Sequence, residues 1–171
     1  MPEGVAVRPI HNSDSLSAIT ELLHRAYAPL GAAGLNYTAV DQSMEVTKQR
    51  IARGICAVAS CNSAVVGTIV VEGIKADGGT PWYCQPHVAT AHQFAVEPSM
   101  QGMGVGSAIM SWAETWARAH GFRELAVDTA EPAQQLVAFY SRRGYRFVEF
   151  AQWSGKRYRT VILSKSLHGA P

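Results

Sequence analysis

Apolar positions along the chain change period several times, and each change marks an element. "VAVRPI" at residues 5 to 10 alternates like a strand with one face buried. "NSDSLSAITELLHRAY" follows with Leu16, Ile19, Leu22, Leu23 and Tyr27 at helical spacing and with Ser13 or Asp14 placed to cap the first turn. Pro29, Gly31 and Gly34 in "APLGAAGLNYTA" break that pattern, after which "VDQSMEVTKQRIARG" reads as a polar helix closed by Gly54. The segments "ICAVAS" and "AVVGTIVVEGI" flank the turn residues "CNS" and predict an antiparallel hairpin over residues 55 to 74.

The next stretch, "KADGGTPWYCQPHVAT", is a loop of about 16 residues with two prolines, two glycines, Trp82, Tyr83 and His87. Loops of that length inside a domain tend to be functional, which makes this one a substrate-loop candidate. From residue 91 the pattern tightens into strand "AHQFAV", a glycine segment, helix "GVGSAIMSWAETWARAHG", strand "ELAVDT", helix "AQQLVAFYSRRG" and strand "YRFVEFAQW". Two successive strand-helix-strand units predict right-handed crossovers and parallel neighbours. The final "RYRTVILSKSL" alternates and is expected to pair with the preceding strand across "SGK".

With 171 residues, of which 47% are hydrophobic and 16% charged, the chain suits a single domain with a substantial core. The net charge of +2 is small, and the only basic clusters are "SRRGYR" and "GKRYR", which argues against a broad nucleic-acid footprint. Cys56, Cys61 and Cys84 are odd in number and match neither a zinc nor a C-x-x-C spacing, so they are read as reduced thiols of a cytoplasmic protein, with no metal site. Neither a leader nor an apolar run of membrane-spanning length is expected.

The most informative stretch is "EPSMQGMGVGSAIM", residues 97 to 110, where Gly102, Gly104 and Gly106 alternate into a helix. Glycine permits positive φ and close approach of a ligand to the backbone. A phosphate-binding G-x-x-x-x-G-K-[ST] loop is excluded because no lysine follows. The dinucleotide fingerprint G-x-G-x-x-G comes nearer, with Asp128 about 20 residues on, but Ser107 stands at the third glycine and too little chain remains for a second mononucleotide half. Successive backbone N–H groups at a helix N-terminus can hold a diphosphate without any lysine, and Gln101 to Ser107 are spaced to do so.

"VEPSMQGMGVGSAIMSWAETWARAHGF" resembles the acetyl-CoA-binding segment of the GNAT superfamily of N-acetyltransferases, whose signature [Q/R]-x-x-G-x-[G/A] corresponds here to Gln101, Gly104 and Gly106 after Val96 and Pro98. "LVAFYSRRGYRFV" resembles the family's second motif through Phe139, Tyr140, Gly144 and Tyr145. One departure is Ala133, where many members carry asparagine seven residues before the tyrosine. The resemblance implies an α/β (α+β) fold: one domain over residues 1 to 171, core about 5 to 167, with a central mixed, twisted β-sheet flanked by helices and the cofactor between two diverging strands.

It also implies acetyl-CoA as acyl donor and direct attack by a primary amine, on a small acceptor, in a ternary complex. The coenzyme would meet Phe94, Ala95, Val96, Gln101, Gly102, Met103, Gly104, Val105, Gly106 and Ser107, the pantetheine arm lying along the backbone of 94 to 96. Tyr140 matches the general acid toward the departing thiolate, a role that a phenol of ordinary pKa near 10 can fill. The incoming strand has no carboxylate, so the base is left among His92, which alternation puts on one face with Phe94 and Val96, and Glu45, Glu72 or His87. Asp128 reads as a strand-end turn residue, Arg142 and Arg143 as solvated helix-end charges, and Trp112 and Trp116 as packing. A non-catalytic acyl-CoA-binding or regulatory module of the same fold is the alternative, and a homodimer stays open.

Overall fold

The computed structural model describes residues 1–75 and 77–168. β1 (Val5–Pro9), α1 (Leu16–Ala32), α2 (Met44–Ile51), β2 (Ile55–Cys61) and β3 (Ala64–Glu72) come first, then β4 (Val88–Val96), α3 (Val105–Ala119), β5 (Glu124–Ala130), α4 (Gln134–Arg142), β6 (Arg146–Ala151) and β7 (Thr160–Ser166). The strands form one mixed seven-stranded sheet, ordered β1-β2-β3-β4-β5-β7-β6 and flanked by the four helices. Two compact units make up the chain: residues 1–71 with 93–113, and residues 72–92 with those from 114 on.

In the first unit the expected elements form, with shifted ends. The α1 cap is Ser15, whose hydroxyl accepts the Ala18 N–H at 3.2 Å, and not Ser13 or Asp14. Asp14 is committed elsewhere, to the Arg8 guanidinium at 2.8 Å and the His11 N–H at 2.7 Å. α1 runs through Pro29 to Ala32, and Gly34 just beyond its Ala33 cap has a φ of +84° that lets the Leu35 N–H return to the Leu30 carbonyl at 3.0 Å. α2 ends at Ile51, ahead of Gly54. The β2–β3 turn is Asn62–Ser63, with φ of +48° and +68°, the left-handed pair that matches the twist of a hairpin. Ile19, Leu22, Leu23, Ala39, Val58 and Ala95 bury the core of this unit. Gly67 in β3 sits where any Cβ would collide with Ile109 of α3, so its lack of a side chain sets how closely the helix packs.

In the second unit β4 begins at Val88, not Ala91, and pairs parallel with β5 from Val88↔Glu124 to Ala91↔Val127. A strand covered on both faces reads as a continuous apolar run without alternation, which is why "VAT" looked like loop. The second crossover does not make β6 a neighbour of β5. β7 inserts between them and runs antiparallel to both, so the expected pairing of the last two strands holds while the parallel β5–β6 contact does not. Tyr83, Val88, Ala126 and Ile162 form this unit's core, with Trp82, Val148, Ala151 and Trp153 packed against it.

Candidate active site

β4 leads into the glycine segment through a short 3-10 turn at Pro98–Met100. Several bonds anchor the approach: Arg25 pairs with Glu97 at 2.8 Å, the Glu97 N–H donates to Val66 O at 2.9 Å, and the Tyr27 hydroxyl donates to the Phe94 carbonyl at 3.0 Å. Gln101 Nε2 donates back to Val96 O at 3.1 Å and so closes the loop on the strand end. Gly102 and Gly104 take φ of +74° and +87°, which side chains rarely tolerate, and nothing lies within 4 Å of where a Gly102 Cβ would stand.

α3 starts at Val105, and its first helical bond beyond the loop runs from Ala108 N–H to Gly104 O at 3.0 Å. The N–H groups of Val105, Gly106 and Ser107 precede any carbonyl four residues back within the helix, so they form its positive end. Gly106, expected to share the special conformation, is an ordinary residue of the first turn. Gln101, Gly102, Met103 and Gly104 are exposed, Gly106 and Ser107 half-buried and Val105 buried. An open loop of left-handed glycines ending at a helix N-terminus fits a diphosphate.

Between His92 and Phe94, Gln93 has φ of +52° and is only 4% exposed. A left-handed residue interrupts the pleat, so simple alternation does not carry His92 onto the face of Phe94 and Val96. The Gln93 Oε1 accepts from Gln42 Nε2 at 2.7 Å, part of a buried chain that includes Thr47 and Thr20. This tether holds the strained residue in place.

His92 belongs with the second unit, and its neighbours define it. Nδ1 lies 3.6 Å from Asp128 Oδ1, while Nε2 lies 3.0 Å from Thr90 Oγ1, 3.2 Å from Lys75 Nζ and 4.0 Å from Glu72 Oε1. Lys75 Nζ pairs with Glu72 Oε2 at 2.7 Å. Asp128 is no turn residue: its two oxygens accept the Tyr83 hydroxyl and the Trp153 indole N–H, each at 3.0 Å. Burial, and after it the Asp128 carboxylate, push the Tyr83 phenol well above its usual range, so it remains a donor to that carboxylate. A carboxylate clamped by two donors and facing one imidazole nitrogen orients the ring and leaves the other nitrogen directed at an amine.

Tyr140, near the end of α4, is 5% exposed and meets Phe139 and Tyr145 edge-on at centroid distances of 5.3 and 5.6 Å. Its carbonyl accepts the Arg143 and Tyr145 N–H groups. Ala133 caps that helix with no side-chain bond. Arg143 is no solvated charge but one of three donors to the buried Glu114, with Tyr145 and Lys165. Burial, followed by the Glu114 charge, raises the Tyr145 phenol far above its ordinary value. Trp116 stacks on His120 at 4.1 Å, a packing contact as expected.

Of the alternative bases, His87 lies apart from this cluster, and Glu45 belongs to the first unit. His87 precedes the start of the β4–β5 ladder, the end opposite Asp128, with its ring against Trp82. Glu45 is an exposed first-turn residue of α2 that accepts from Gln49. Glu72 does join His92, together with Lys75 and Tyr83 from the long loop, Asp128 from β5, which the sequence offered as a turn residue, and Trp153. The composition of the loop was the one signal for Lys75 and Tyr83; Trp153 carried none.

Among the described residues no group of three or more His, Cys, Asp or Glu side chains could hold a metal, and no helix is long and apolar enough to cross a membrane.

The architecture is that of acetyltransferases. The Escherichia coli ribosomal-protein-S18-alanine N-acetyltransferase superposes with a TM-score of 0.72 at 14% identity, covering 98% of this chain and 96% of its own. A GNAT family acetyltransferase from Elizabethkingia anophelis, crystallised with acetyl-CoA bound, superposes with a TM-score of 0.68 at 16% identity, covering 96% and 99%. The profile of the Acetyltransferase (GNAT) family matches residues 17–145, and the chain belongs to that family. It is also similar to the S-(2-succino)cysteine N-acetyltransferase of Bacillus subtilis (strain 168), 27% identical over 155 residues that cover 87% of this chain and 88% of the relative.

Proposed function

We propose that this protein transfers an acetyl group from acetyl-CoA to a primary amine of a small-molecule acceptor, with both substrates bound at once and residues 5 to 167 acting as one catalytic domain. The carrying observation is the pair of left-handed glycines, Gly102 and Gly104, opening onto the N-terminus of α3. The Bacillus subtilis relative's named activity, N-acetylation of S-(2-succino)cysteine, supports a small amine as acceptor. Three free cysteines, Cys56 buried, Cys61 half-buried and Cys84 exposed, suit a reducing cytoplasm.

Acetyl-CoA, when bound, supplies the activated acetyl thioester. The N–H groups from Gly102 to Ser107 would hold its diphosphate by hydrogen bonds and the helix dipole, with Gln101, whose own N–H donates to the Pro98 carbonyl at 3.3 Å, shaping the loop, and the backbone of Phe94, Ala95 and Val96 would align the pantetheine arm. His92 takes the proton of the incoming ammonium at Nε2, with Asp128 as positioning residue toward Nδ1. The neutral nitrogen would then form the C–N bond as the C–S bond breaks, Tyr140 would give its phenolic proton to the departing thiolate, and the proton shed by the acylated nitrogen would restore the phenol.

Gly104→Val tests the reading. A β-branched side chain at φ of +87° is strained and stands where the diphosphate lies, so calorimetry should lose acetyl-CoA binding while the melting curve stays cooperative. Unchanged affinity would refute the loop assignment. A thiol-release assay over an amine panel completes the test: tight acetyl-CoA binding with no turnover on any amine would make the protein a non-catalytic acyl-CoA-binding module.

A further inference from the structure

Lys75 follows β3 directly after Ile74, which is 69% exposed, yet its own side chain turns inward to 23% exposure. Its ammonium stands 2.7 Å from Glu72 Oε2, 3.2 Å from His92 Nε2 and 5.8 Å from the centroid of the Tyr83 ring. Two donors do not face each other at hydrogen-bond distance, so His92 Nε2 carries a lone pair and its proton sits on Nδ1, toward Asp128. An ammonium is thus met by a carboxylate, an imidazole lone pair and an aromatic face, the set of groups that recognises a primary amine.

A solvent-exposed lysine pairing three residues back would require none of this and would contribute little. Here Glu72 is 7% exposed and Tyr83 1%, so the surroundings are built. Moving Lys75 away leaves two carboxylates, Glu72 and Asp128, beside a neutral imidazole, a charge deficit that one incoming ammonium reduces.

We propose that Glu72, Tyr83, His92 and Asp128 form a subsite for a primary alkylammonium group of the acceptor, and that Lys75 is its built-in occupant, which the acceptor displaces. The inference deepens the acetyl-transfer reading and rests on it for the fate of the bound amine, not for binding itself. The chemical class follows from what occupies the subsite: an unhindered amine at the end of a methylene chain, as in a diamine or a lysine side chain. An α-amino acid is disfavoured here, because its carboxylate would lie against Glu72 and Asp128, so the acceptor differs in class from the S-(2-succino)cysteine of the Bacillus subtilis relative.

The test uses n-butylammonium, a copy of the lysine stem, titrated into the full chain without acetyl-CoA while the His92 ring resonances are followed by NMR. Lys75→Ala should bind it at least about tenfold tighter than wild type, since an internal competitor that fills the subsite nine-tenths of the time reduces apparent affinity by that factor. Glu72→Gln should weaken binding in the Lys75→Ala background, and glycine should gain nothing from removing Lys75. With acetyl-CoA added, Lys75→Ala should lower KM for n-butylamine and leave kcat nearly constant. Equal affinity in wild type and Lys75→Ala, with both folded by thermal melt, overturns the subsite, as does equal tightening for glycine. Probe that binds as expected but is never acetylated refutes the transfer reading and leaves the subsite standing. Acetylation of amines with KM indifferent to Lys75 does the reverse.

Discussion

Asp14 accepts from the Arg8 guanidinium and the His11 backbone at once, and the Arg8 hydrogen bond, opposed only by partial burial, lowers its carboxyl from 3.8 to about 2. A depressed folded-state pKa means stability that is fully present above the unfolded value and is lost as pH falls through the folded one. Asp14→Asn should therefore melt below wild type near neutral pH, and the difference should close between about pH 4 and pH 2; a gap that persists at pH 2 would mean the carboxylate charge is not the cause. Tyr140 is tested at the same scale. Losing a positioned general acid costs roughly 10²- to 10⁴-fold in rate, so Tyr140→Phe should lower kcat by that order with acetyl-CoA affinity retained, and wild-type turnover under rate-limiting chemistry would make the residue packing alone. Backbone conformation was legible in the sequence where a motif fixes it, as at Gly102 and Gly104, which take the left-handed region. The roles of Asp128 and Lys75 were not legible, because a strand-end aspartate and a loop lysine acquire meaning only from what faces them.

Elements were read from period and from punctuation, and the two performed differently. Leu16, Ile19, Leu22 and Leu23 placed α1 correctly, yet its cap lies at Ser15, since the Arg8–Asp14 pair claims the neighbouring carboxylate. Ser15→Ala should cost about 1 kcal/mol in chemical denaturation, whereas Ser13→Ala should cost almost nothing. The β2–β3 hairpin was visible from its turn, while the start of β4 was hidden because strands buried on both faces lose their alternation. Gln93 is the instructive miss at this scale: an ordinary residue in an apparently regular strand takes left-handed backbone, held by the Gln42 side chain, which Thr47 anchors in turn.

At the scale of the whole molecule the strand order carries the lesson, because β7, last in sequence, sits between β5 and β6. Ile162 at its middle is fully buried, opposite Asp128 on one side and Glu149 on the other. Ile162→Ala should destabilise by roughly 2–5 kcal/mol in urea, and a loss under about 1 kcal/mol would mean that β7 is not the interior strand found here. What the sequence by itself determined is what depends on neighbours along the chain: helices from 3.6-residue periodicity, the hairpin from its turn, and a glycine loop whose left-handed backbone needs only local freedom. Tertiary structure alone decided the insertion of β7, the left-handed backbone at Gln93 and the Glu72–Lys75–His92–Asp128 cluster. Those depend on which strands lie side by side, and hydrogen bonds between strands leave no spacing in the sequence to be read.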